Sequence, residues 1–141
     1  MSAPEAADFA GITYRQLDYW GRKGWVVPAH VERVSAGRRV RRYDDGDVLR
    51  LAALAHLGRS GLDVAAFGPQ VGTLQLTDGD SMVVVGPGTE LEVIAAAELR
   101  AHLRASGPGR YVVFDPAPLR RSLAAQRAGS TPTTLNERRS A

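Results

Sequence analysis

The sequence predicts a mostly α N-terminal winged helix-turn-helix followed by a small α+β domain ordered ββαβα. Three observations carry that expectation. Two helix-capping signals stand close together before residue 25, separated by a glycine. A valine-rich stretch follows, with two arms around Ser35-Ala36-Gly37. Beyond residue 70, short apolar runs alternate with Gly-Pro and Asp-Gly turn signals.

The first helix starts at Ser2-Ala3-Pro4-Glu5. Ser2 caps, Glu5 reaches back, and Pro4 sits in the tolerant first turn. Gly11 ends it, because glycine accepts a left-handed turn. Thr13 and Gln16 form a capping box for a second helix, from Tyr14 to Lys23, that stops at Gly24. Leu17 and Trp20 share an apolar face, with Tyr14 beside them. Arg15, Tyr19 and Arg22 lie at i, i+4 and i+7 on a polar, basic face. Two short helices joined by a Gly-containing turn make a helix-turn-helix, whose second helix can enter a major groove.

Trp25, Val26, Val27, Val31, Val34 and Val40 give residues 25–43 a strand-rich reading. Strand alternation turns Val40 inward and Arg39 and Arg41 outward. A hairpin with such a basic arm, placed after a helix-turn-helix, is a wing. Asp44-Asp45-Gly46-Asp47 then supplies the acidic first turn of a helix that carries Val48, Leu51, Leu54 and Leu57 and ends near 58–61. Asp63 caps one more short helix, which Gly68-Pro69 breaks.

In the second half, Thr73–Thr77 and Ser81–Val85 read as strands joined by an Asp78-Gly79 hairpin turn. Thr89 and Glu92 form a capping box that opens a helix to about Ala105, with a stripe of Leu91, Ile94, Ala95, Leu99 and Leu103. Tyr111–Phe114 is a strand, and Pro116-Ala117-Pro118 starts a last helix. From Gly129 the composition turns to Ser, Thr, Pro and charge, the pattern of a disordered tail. The expected organisation is a DNA-binding domain over 1–69, a dimerisation or partner-binding domain over 70–128, and a tail over 129–141.

Charge is unevenly placed. Residues 15–42 hold eight basic side chains against two acidic ones, whereas residues 43–141 hold ten against eleven. One positive patch on a balanced chain is the footprint of phosphate binding. The 141 residues contain no cysteine, which excludes disulfides, thiolate metal sites and cysteine nucleophiles. His30, His56 and His102 are scattered, without ligand spacing. No Ser/His/Asp set has a supporting motif, so no enzyme, metal or cofactor is expected. Gly86-Pro87-Gly88-Thr89 lacks a following lysine and is followed by Glu90 and Glu92, so it reads as a strand-to-helix turn, not a phosphate cradle. With no leader-like segment and no long apolar run, the expectation is a cytoplasmic, nucleoid-associated protein.

Residues 5–67 resemble the DNA-binding domain of the MerR (mercury-resistance regulator) family. The likeness rests on Ile12-Thr13-Tyr14-Arg15-Gln16-Leu17-Asp18-Tyr19-Trp20, on Gly24-Trp25-Val26-Val27-Pro28, and on Gly37-Arg38-Arg39-Val40-Arg41-Arg42-Tyr43. The resemblance implies a bacterial transcriptional regulator, usually a homodimer on a palindromic site. It places Arg15 and Tyr19 where the family's recognition helix meets DNA. It places Arg38, Arg39, Arg41 and Arg42 in a wing that grips the backbone. Asp18 departs from the basic residue common at its position and would repel a phosphate it faced. Many family members continue into a long coiled-coil helix, and this chain has a Gly-Pro break and strands instead. Pairing would therefore have to come from residues 70–128.

The expected DNA-contacting set is Arg15, Tyr19, Arg22, Lys23, Arg38, Arg39, Arg41 and Arg42. Phosphate contact is expected of the wing and base reading of the helix. Trp20, Trp25 and Tyr43 fit core packing better than base stacking. Two other readings use the same features. One is an excisionase-like architectural factor that bends DNA. The other is an adaptor whose second half binds a protein through a strand edge.

Overall fold

The computed structural model describes residues 1–88 and 90–129. Among these residues the chain is a mixed α+β fold with six helices and two small antiparallel sheets. Ser2 accepts a hydrogen bond from the Glu5 amide and starts α1 (Ala3–Ala10), and Gly11 ends it at φ 73°. Ala3, Ala6, Ala7 and Ala10 are buried, and their small side chains let α1 lie close against α3. The capping box of α2 (Tyr14–Arg22) is complete. The Gln16 amide donates to Thr13 Oγ1 at 3.1 Å, and the Thr13 amide donates to Gln16 Oε1 at 2.9 Å. Gly24, at φ 75°, turns the chain away.

The strands of residues 25–43 are shorter than the valine pattern predicts. They are β1 (His30–Arg33) and β2 (Arg39–Arg42), paired with His30 opposite Arg42 and Arg33 opposite Arg39. Trp25–Val27 is not a strand. Val26 is instead buried in the core, and Trp25 lies against Gly68 and Gly72, where a side chain would collide with it. Ala36 and Gly37 turn the hairpin with positive φ values of 68° and 71°.

Asp44 caps α3 (Asp45–Arg59), whose Val48, Leu49, Leu51, Ala53, Leu54 and Leu57 are all buried. A helix apolar on every side belongs in the middle of a core. α1, α4, β5 and α6 pack around it. Asp63 caps α4 (Val64–Val71), which continues through the expected Gly68-Pro69 break. Pro69 removes one donor from the ladder. Burial of Phe67 and Val71, together with Trp25 against Gly68, holds the turn that local chemistry disfavours.

Two further expectations fail beyond residue 72. Thr73–Thr77 is a loop, so Asp78-Gly79 does not join a strand pair. The backbone acceptors of this loop go to arginines: Arg50 donates to the Leu74 carbonyl at 2.9 Å, and Arg120 to the Leu76 carbonyl at 3.0 Å. The expected helix over 89–105 is interrupted. Thr89, half of its capping box, lies outside the described residues, and Leu91–Ala95 form β4. β4 pairs with β3 (Ser81–Val85), which also pairs with β5 (Val112–Phe114). Val93 and Ile94 are β-branched, and pairing with the valine-rich β3 overrides their helix-like spacing. Gly86-Pro87-Gly88 therefore lies between two strands, not before a helix. A 3₁₀ turn over Ala96–Glu98 leads into α5 (Leu99–Ser106), and α6 (Ala117–Ala128) closes the described chain. The elements after residue 80 thus run β3, β4, α5, β5, α6; β3 and β5 lie on expected segments, whereas β4 takes the place of the strand expected over Thr73–Thr77. The expected tail over 129–141 lies outside the described residues apart from Gly129. One hydrophobic cluster includes Leu17, Trp20 and Val26 as well as Leu76, Val83, Phe114 and Leu123.

Candidate nucleic-acid interface

α2 buries Leu17 and Trp20 and exposes Arg15, Tyr19, Arg22 and Lys23. Tyr14, grouped with the apolar face by its spacing, is 53% exposed. Tyr19 is 44% exposed and held from two sides. Its ring meets Trp25 edge-on at 5.9 Å, and Lys23 Nζ lies over it at 5.5 Å. That arrangement suits a cation–π contact and fixes the aromatic at the surface. Arg38 and Arg39 are exposed where the chain leaves the hairpin turn, and Arg33 is exposed opposite Arg39. Among the described residues Arg15, Lys23, Arg33, Arg38 and Arg39 have no carboxylate partner. Their charges are available to an external anion.

The other three expected cations are already paired. Arg42 lies 3.6 Å from Glu32 across the hairpin. Arg22 Nε lies 3.2 Å from Asp18 Oδ2, one helical turn away. Arg41, expected to point outward with Arg39, turns back onto α2. It donates to Asp18 Oδ1 at 3.2 Å and to the Tyr14 hydroxyl at 2.8 Å, with its guanidinium 5.5 Å above the Tyr14 ring. Alternation places Arg39 and Arg41 on one face of β2. At the base of the hairpin that face meets α2. Burial works against the charge on Arg41, but Tyr43, Tyr14 and Asp18 outweigh it and raise its pKa. Burial likewise raises the pKa of Tyr43, against the opposing influence of Arg41.

Sequence reasoning missed two carboxylates that hold this surface together. By charge alone Asp18 repels a phosphate it faces, yet both of its oxygens are occupied by arginines. Its i, i+4 partner Arg22 was legible, whereas its partner on β2 is 23 residues away. Asp47 is 1% exposed and accepts from the Ala29 amide, the Asp44 amide and Arg50. It ties the residue before β1 to the start of α3.

Residues 1–66 match the family model described as MerR HTH family regulatory protein. This segment is similar to MerR-family helix-turn-helix proteins. It contains α1, α2, the β1–β2 hairpin and α3, and with them the exposed basic surface. The chain is also similar to uncharacterised HTH-type transcriptional regulators from Mycobacterium bovis and from two strains of Mycobacterium tuberculosis. Each is 32% identical over 111 residues, which cover 77% of this chain and 49% of the relative. The chain thus spans about half the length of the curated relatives it matches. The matching family model and these relatives are all named as helix-turn-helix regulators. No described helix is long and apolar enough to cross a membrane. Among the described residues no group of three or more His, Asp or Glu is arranged around a metal position.

Proposed function

We propose that the protein is a sequence-specific double-stranded DNA-binding transcriptional regulator of the MerR-like type. α2 lies in the major groove, and the β1–β2 wing lies on the sugar-phosphate backbone. The observation that carries this reading is the exposed basic surface itself. Arg15, Tyr19 and Lys23 project from one capped helix, and Arg38 and Arg39 from the hairpin fixed beside it. Arg15 reads base edges, where a bidentate contact to guanine discriminates by about 1–3 kcal/mol. Arg38 and Arg39 neutralise phosphates, as the paired Arg22 and Arg42 do at the margins, and they carry no sequence information. The protein acts on the nucleoid, in the cytoplasm.

Residues 70–128 serve dimerisation or partner binding. Among the described residues α5 has none that is buried, and β4 pairs on its β3 side alone, which supports a role outside the core. Selection from genomic fragments at near-physiological salt is expected to recover one preferred site, and Arg15→Ala is expected to change which site that is. Equal retention of all fragments overturns the reading. Clustered sites bent on binding, with no promoter effect, would replace it with the excisionase-like one.

A further inference from the structure

The wing is a two-stranded hairpin with little core of its own; all four residues of β1 are exposed. Its base is tied at each strand. Before β1, the Ala29 amide donates to Asp47 at 2.9 Å. After β2, the Tyr43 amide donates to the Met1 carbonyl at 2.8 Å, beside a bridge from Arg42 to Ser2. Two ties at the base still leave a hairpin free to pivot about the line between them. The third tie comes from the side. Arg41 reaches across to α2 and binds Asp18 and Tyr14 at once, and only 24% of its side chain remains exposed. Asp18 uses its second oxygen to hold Arg22.

We propose that Asp18 and Arg41 are positioning residues that lock the wing to the recognition helix, and that Arg41 commits its charge to this lock and not to a DNA phosphate. The inference rests on the DNA-binding reading above and divides the wing arginines by task. A guanidinium fork can serve two acceptors in fixed directions, whereas a lysine ammonium is a single point charge. The lock therefore requires arginine and not merely a positive charge. It also gives Asp18 a role that suits its place on a DNA-facing helix. Its negative charge is matched by two arginines before any phosphate arrives.

The test has two arms on the full chain. The first follows amide hydrogen exchange of residues 30–42 in the free protein. Asp18→Asn, Arg41→Gln and Arg41→Lys are each expected to speed wing exchange about tenfold, a shift of about 1.4 kcal/mol in local opening. Arg39→Gln leaves it unchanged, and α3 amides keep their protection in every variant. The second arm measures duplex affinity against salt. Arg39→Gln is expected to flatten the slope by about 0.9, the value for one phosphate, and Arg41→Gln to leave the slope unchanged while weakening the preferred site. Unchanged wing exchange in both Asp18→Asn and Arg41→Gln overturns the lock. So does a slope that falls as much for Arg41→Gln as for Arg39→Gln. If the wild-type protein binds no duplex, the functional reading fails, and the exchange arm still decides the lock.

Discussion

Asp47→Ala is expected to cost more stability than any substitution on the exposed basic surface. The carboxylate is 1% exposed and accepts three hydrogen bonds, from the Ala29 amide at 2.9 Å, the Asp44 amide at 3.0 Å and Arg50 Nη2 at 2.7 Å. Arg50 retains the Leu74 carbonyl but loses its counter-charge. Removing one partner of a buried ion pair costs about 3–5 kcal/mol, because the remaining charge stays desolvated. Loss of the negative charge from the first turn of α3 adds about 0.3–1 kcal/mol through the helix dipole. Domains of this size have about 5–15 kcal/mol in total, so the variant sits near the edge of folding. Urea unfolding followed by circular dichroism measures the difference. A loss of about 3 kcal/mol or more is expected, with Asp47→Asn falling between the two because its amide oxygen still accepts. A loss under about 1 kcal/mol for Asp47→Ala would show that the fold does not depend on the three bonds.

Gly72→Ala tests the seating of Trp25. Gly72 has φ −61°, which alanine adopts freely, so chain entropy alone would favour alanine by about 0.4–1 kcal/mol. The added methyl would run into the Trp25 carbonyl, so a net loss of about 1–3 kcal/mol is expected in the same urea assay. Tyr43→Phe should be neutral or stabilising by up to about 1 kcal/mol, because the Tyr43 hydroxyl is buried with no hydrogen-bond partner among the described residues. Tyr43 also sets a pH dependence. Its folded pKa is raised above the ordinary value of about 10, so its contribution is complete below about pH 10 and is lost as pH rises through the folded pKa. The stability difference between wild type and Tyr43→Phe should stay constant below about pH 10 and grow in favour of Tyr43→Phe above it.

The elements the sequence revealed are those fixed by local chemistry. Ser2, the Thr13–Gln16 pair and Asp44 each start a helix within three residues of themselves. Gly11 ends one, and Gly37 turns the hairpin with Ala36. What remained hidden depends on partners far along the chain. Leu91, Ile94 and Ala95 fit a helical stripe as well as a strand, and pairing with β3 decides between them. The loop over 73–77 is alternately apolar, yet arginines from α3 and α6 take its carbonyls. α4 passes through Pro69 because Trp25, more than forty residues earlier, packs against Gly68. At the candidate interface the exposed cations were legible from charge and helical spacing. The inward turn of Arg41 was not, because alternation assigns a residue to a face and does not say what that face meets.

On the proposed reading, the surface formed by α2 and the wing selects a duplex sequence. Its most direct test is the affinity ratio between the selected genomic site and a scrambled duplex of equal length, titrated at about 0.15 M salt. A specific regulator is expected to prefer its site by about 10³-fold or more. Equal affinity for the two duplexes, with the same salt slope, would mean that the basic patch grips DNA without reading it.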